Sequence, residues 1–258
     1  MTGPAHPIDD SQRTAAKVAA VASLLTFGLI VFANFGMRGR LLISGDMAAT
    51  VRGVAAAEPL YRMSVVVDLV YCAGVVVLLT AMYVVLRPVS RHLALLATCW
   101  KLMYTVTAVL LALSLLTIGR LATNPAYAKA LGSEPLQALV RLTLSGTWEQ
   151  YYVGLVFWAL SATVLGWLWL KSRYIPAALA TFGLVASGWC AFCAMAYLSN
   201  PDFAQIVGLN WFDVPMVVFD MTLSIWLLVK GLSPAATKTP PAASVIVDDQ
   251  SPSNPSTP

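Results

Sequence analysis

Six stretches of this chain stay apolar for about twenty residues each. They are 17–37, 64–86, 93–118, 151–170, 175–198 and 213–232. A helix rising 1.5 Å per residue needs about that length to cross ~30 Å of hydrocarbon. Backbone in hydrocarbon must satisfy its own N–H and C=O groups, so each stretch has to be helical. The class is therefore all-α: a polytopic transmembrane bundle of six spans. Composition agrees, since 59% of residues are hydrophobic, 11% are charged and mean hydropathy is +0.75. That leaves too few polar side chains to cover a fold surrounded by water. Pro88, Pro176 and Pro215 fall at span edges, where a helix tolerates the missing N–H.

The polar segment 1–16 reads as a disordered N-terminal tail, 17–232 as the six-helix domain, and 233–258 as a disordered Pro/Ser/Thr-rich C-terminal tail. The first apolar stretch is longer than a signal-peptide core and no A-x-A site follows it, so it reads as a retained span. Connections 87–92 and 171–174 are short enough to make antiparallel helix hairpins, whereas 38–63, 119–150 and 199–212 read as longer exterior loops. The two short connections carry Arg87, Arg91, Lys171 and Arg173 and no acid, which favours an N-in/C-in orientation. Arg38 and Arg40, just past the first span, count against it. Segment 44–57 is expected to be a short helix on the membrane surface, with Asp46 as its N-cap.

Three ionisable residues lie inside spans: Asp68, Lys101 and Asp220. Each costs several kcal/mol, about 2.5–3.5 on insertion scales, unless it turns inward. Counting residues along the spans puts Lys101 within roughly 8–12 Å axially of either carboxylate, so an Asp–Lys–Asp cluster inside the bundle is expected. Helical spacing adds Tyr104 and Thr105 beside Lys101, Tyr71 beside Asp68, and Ser224 beside Asp220. Three readings of this set stand side by side. It locks the helices together, it relays protons or ions, or it anchors the polar end of a small ligand or lipid.

The remaining features point to packing rather than chemistry. Cys190 and Cys193 form a C-x-x-C in mid-span, with no βαβ pattern around them, and are expected to be core residues. Gly183, Ser187 and Ala191 make a small-residue stripe for close helix packing. Trp148, Tyr151, Tyr152, Trp167 and Trp169 read as interfacial belts, and Glu149 and Gln150 as a solvated first turn. Only His6 and His92 exist, so a histidine-built metal or haem site within the membrane is not expected, and no cofactor is implied. No G-x-S-x-G, H-E-x-x-H or P-loop occurs, which argues against an enzyme. The net charge of +4 is not gathered into an aromatic-rich basic patch, so nucleic acid is not an expected partner.

A set of motifs resembles a known family. Ser44-Gly45-Asp46-Met47-Ala48-Ala49-Thr50 and Leu60-Tyr61-Arg62 before Asp68-Leu69 resemble the opening of the bacterial integral-membrane family called domain of unknown function 4386. So do Arg87-Pro88 through Ala97 followed by Lys101-Leu102, Gly154-Leu155-Val156-Phe157, Leu165 to Pro176, and Ser224 to Gly231. The resemblance runs over about residues 17–232 and implies a multi-pass protein of the bacterial cytoplasmic (inner) membrane, without supplying a reaction. It also implies an Arg at the Lys101 position and often a Glu at the Asp220 position. This chain therefore keeps the charge signs but lacks the bidentate guanidinium. The expected function is non-enzymatic binding of a small hydrophobic or lipid-like ligand, or of a membrane-protein partner, within the lipid bilayer. The alternative is a small proton-coupled secondary transporter using Asp68, Lys101 and Asp220.

Overall fold

A computed structural model describes residues 8–43, 45–208 and 210–233. Asp9 caps the first helix, α1 (Asp10–Val31), through a reciprocal box with Gln12. α1 continues without interruption into a π-helical segment, Phe32–Arg38. After it come α2 (Met47–Ala56), α3 (Glu58–Leu86), α4 (Arg91–Thr123), α5 (Pro125–Leu131), α6 (Ser133–Ser172), α7 (Ala177–Ser199), α8 (Phe203–Val207) and α9 (Asn210–Val229). Six of these helices are long and apolar enough to cross a membrane: α1 with its π-segment, α3, α4, α6, α7 and α9. Among the described residues there is no strand. The chain is a multi-pass membrane protein.

Two faces organise the bundle. The N-terminal face holds the start of α1, the α3–α4 and α6–α7 turns and the end of α9; the opposite face holds α2, α5 and α8. One expectation about the ends needs correcting. Helix begins at Asp10, so residues 10–16 of the segment expected as a tail belong to α1. Its residues 1–7, like residues 234–258 of the expected C-terminal tail and Ser44 of the 44–57 segment, lie outside the described residues.

The loop expected at 119–150 is helical almost throughout. α4 runs on to Thr123, Asn124 caps α5 through the Ala126 N–H, and Gly132 at φ 78 turns the chain into α6. α6 is 40 residues long, about 60 Å, roughly twice a hydrocarbon core. Its first turns bury Leu136, Val140 and Thr147. Asp46 does cap α2, accepting the Ala49 N–H at 2.8 Å. α2, however, packs on α4 and α6, with Met47, Thr50 and Val54 buried, instead of lying free on a membrane surface.

Outside the bundle, apolar side chains face away from the protein: Leu25 on α1, Val66 and Val70 on α3, Leu110 and Leu113 on α4, Val185 on α7 and Ile225 on α9. Lipid is the solvent that tolerates such a surface. Inside, small residues let helices meet closely. A Cβ on Gly154 would run into Thr107 of α4, and one on Gly183 into the ring of Phe219 on α9. The stripe Gly183, Ser187 and Ala191 is buried within the chain, where the Thr163 hydroxyl of α6 donates to Ser187 Oγ at 3.2 Å.

Candidate intramembrane polar site

The three charges expected to cluster divide into two places. Asp68 belongs to α3 and is 4% exposed. Its partner is Arg38, the last residue of the π-segment, which is 3% exposed. Both terminal nitrogens of Arg38 donate to the Asp68 carboxylate, and Nη2 also donates to Asn34 Oδ1 at 3.0 Å. The fork geometry is the one a guanidinium offers a carboxylate. A π-turn inserts one more residue per turn than an α-turn, and that offset swings Arg38 inward from the end of α1. Arg38 was absent from the expected set because it lies one residue past the apolar stretch. The available signal was Asn34 one helical turn before it, a second polar group on the same face.

Lys101 and Asp220 come together elsewhere. Each lies ten residues into its helix, Lys101 from the N-terminal face on α4 and Asp220 from the opposite face on α9. Ten residues is about 15 Å, so both reach mid-depth. They line one cavity of ≈ 50 Å³ with Ser23 of α1, Met82 of α3, and Trp158 and Leu165 of α6. That volume takes a few waters. Among the described residues the ion pairs within 4.0 Å are Arg38–Asp68 and Arg62–Glu58, so Lys101 and Asp220 stand further apart than a direct pair. The Lys101 ammonium sits 4.4 Å from the centre of the Trp158 ring and 5.4 Å from that of Tyr104. Trp158 also faces Asp220 in the same cavity, so one indole touches the surroundings of both charges.

The hydroxyls sort by what they touch. Ser224 Oγ donates to the Asp220 carbonyl at 2.7 Å, and Thr105 Oγ1 to the Lys101 carbonyl at 3.0 Å, so both are tied to their own helices. Tyr71 and Tyr104 join α3 to α4 hydroxyl to hydroxyl. Ser23 is 7% exposed and lines the cavity, a hydroxyl to which water or a ligand atom can bond.

Three of the five expected belt aromatics face inward. Trp148 and Trp167 are exposed, whereas Trp169 and Tyr152 are buried and the Tyr151 hydroxyl donates to Asp213 of α9. Gln150, expected as part of a solvated turn, exchanges hydrogen bonds with Ser114 of α4. Cys190 and Cys193 are buried in the core shared by α6, α7 and α9 and are not disulfide-bonded. No group of three or more His, Cys, Asp or Glu among the described residues is placed to hold a metal ion.

Comparison with known families gives one match. The model described as "Domain of unknown function (DUF4386)" aligns with residues 18–231, most of the chain, and the chain belongs to that family. Comparison with curated proteins and with solved structures returns no match.

Proposed function

We propose that this member of the DUF4386 family binds a small amphiphilic, lipid-like molecule at the mid-depth cavity and does no chemistry on it. The observation that carries the reading is the unpaired state of Lys101 and Asp220. Two charges at mid-depth, held apart around a void that Ser23 also lines, need a bridging polar group to offset their desolvation. The cavity takes a polar end only. The apolar remainder of the ligand leaves it past Leu78, Leu79, Met82 and Leu165, the apolar part of its lining. Native mass spectrometry of protein extracted from membranes tests this. The wild type carries a co-purifying small molecule, the Lys101→Met/Asp220→Asn double variant loses it, and Cys99→Ser, at an exposed position, keeps it. A wild type free of bound molecules in both detergent and bilayer discs overturns the reading.

A second reading, proton-coupled transport, draws on the same mid-depth carboxylate. Asp68 drops out of it, because Arg38 already holds both its oxygens. In vesicles with an imposed pH gradient, Asp220→Asn then abolishes solute flux and Asp68→Asn leaves inserted protein active.

The membrane is proposed to be the bacterial cytoplasmic membrane, with the N-terminal face inside. The burial of Arg38 in an ion pair supports that orientation, since it removes one exterior basic residue from the count against it. Thiol labelling of a cysteine placed at Ser90, in the α3–α4 turn, reports the side directly.

A further inference from the structure

Asp213 and Tyr151 serve no purpose in the cavity as described, yet they are aligned with it. Asp213 precedes Asp220 by seven residues on α9, and Tyr151 precedes Trp158 by seven on α6. Seven residues is two turns of helix and about 10.5 Å, so each pair shares a face. The result is two polar layers across the same pair of helices. The outer layer is the Tyr151–Asp213 hydrogen bond, in the first turn of α9 at the opposite face. The inner layer is Trp158 with Asp220 and Lys101. Three residues along α4 from Lys101 toward the opposite face, Tyr104 joins its hydroxyl to that of Tyr71. Tyr104 stacks on Trp158 with ring centres 5.4 Å apart, and Tyr151 lies within electrostatic reach of both tyrosines.

Resting on the reading that Lys101 and Asp220 frame a working polar site, we propose that Asp213, Tyr151, Tyr71 and Tyr104 form a hydroxyl route through which protons pass between the opposite face and Asp220. For inward passage, Asp213 takes a proton from water. Its new O–H then breaks as Tyr151 oxygen accepts the proton. The proton Tyr151 carried leaves through a bridging water to the Tyr71–Tyr104 pair, and the last hop forms an O–H bond on Asp220. Every oxygen along the way gives up one hydrogen as it receives one, and no electron is transferred. The other titratable or charged groups facing this column are Cys72 on α3, Lys101 on α4, Tyr152 on α6 and Cys190, Cys193 and Tyr197 on α7. Of these, Lys101 is the only cation among the described residues that line the cavity.

Infrared spectroscopy of the full-length protein in bilayers tests the route. The carboxylic-acid band that Asp220→Asn removes is assigned to Asp220, and its isotope shift is timed after a switch to heavy water. In Tyr151→Phe the shift slows by about tenfold or more, as expected for loss of a proton-transfer group. Tyr174→Phe, at the N-terminal face, leaves it unchanged. Asp213→Asn and Tyr104→Phe repeat the slowing, and each variant is first checked for wild-type helicity, so one unfolded variant does not decide the result. An unchanged rate in all three route variants overturns the route while leaving ligand binding at the cavity intact. Absence of an Asp220 acid band at every pH overturns the route as well. Loss of co-purifying ligand is read separately, by mass.

Discussion

The Arg38–Asp68 pair offers the sharpest test of how this bundle holds charge. In Arg38→Met the carboxylate stays buried at 4% exposure and loses both guanidinium donors. Removing one member of a buried pair costs about 3–5 kcal/mol, because the other charge is left uncompensated. Replacing both members by apolar side chains, Arg38→Met with Asp68→Leu, is close to neutral on the same argument. The two single losses therefore fail to add: with each at about 3–5 kcal/mol and the double variant near zero, the double-mutant cycle returns a coupling of about 6–10 kcal/mol. That is well above the ~0.6 kcal/mol average of interhelical hydrogen bonds within membranes. Reversible unfolding in mixed micelles of rising dodecyl sulfate content, followed by far-ultraviolet dichroism, measures each corner. Arg40→Met serves as control: two residues on and exposed, it moves stability by no more than about 0.5 kcal/mol. If Arg38→Met also falls within that range, or the coupling does not exceed the ordinary membrane value, then water reaches the pair and the argument from burial is wrong.

Four further outcomes follow from local geometry. Gly183→Leu forces a side chain into the Phe219 ring and destabilises by about 1–3 kcal/mol or more. Gly188→Ala on the same helix meets nothing within 4 Å and is neutral or stabilising by up to about 1 kcal/mol, both read in the same unfolding assay. Gln12→Leu removes the bond to the Val85 carbonyl at 2.9 Å that ties α1 to α3, and loses about 0.5–1.5 kcal/mol in that assay. Asp9 is held below its ordinary value of 3.8 by the Gln12 backbone N–H and the Ser11 hydroxyl. A lowered carboxylate stabilises the fold fully above its unfolded value, and that contribution disappears as pH falls through the lowered one. Stability of the wild type therefore drops below pH 3.8 by a component that Asp9→Ala lacks, visible as converging acid titrations of the two proteins.

Hydropathy made the six spans legible, because hydrocarbon imposes one requirement on every residue of a span. It was silent about segments outside hydrocarbon. Residues 133–150 carry Leu136, Val140, Leu144 and Thr147 at helical spacing, and Asn124-Pro125 and Gly132-Ser133 are ordinary helix boundaries. A periodicity count finds that helix where a hydropathy count finds a loop. Depth along each span placed Lys101 with Asp220 correctly. It misassigned Asp68, since depth says nothing of rotation about the helix axis, and the partner waited on a π-turn that no local pattern announces. The same blindness to rotation hid the inward turn of Tyr151. Seven-residue spacing of Tyr151 to Trp158 and of Asp213 to Asp220 was the legible clue.

α6 runs from Ser133 to Ser172 without a break in its helical ladder. It has no proline within its central turns, and the place that can absorb a bend is the Ser145-Gly146 pair, between Leu136 and Trp158. A push on the end near Leu136 reaches Trp158, about two thirds of the way along the helix and packed on the Lys101 ammonium, only through that pair. The arm that moves the indole is thus the stretch beyond the pair, about 18 Å long.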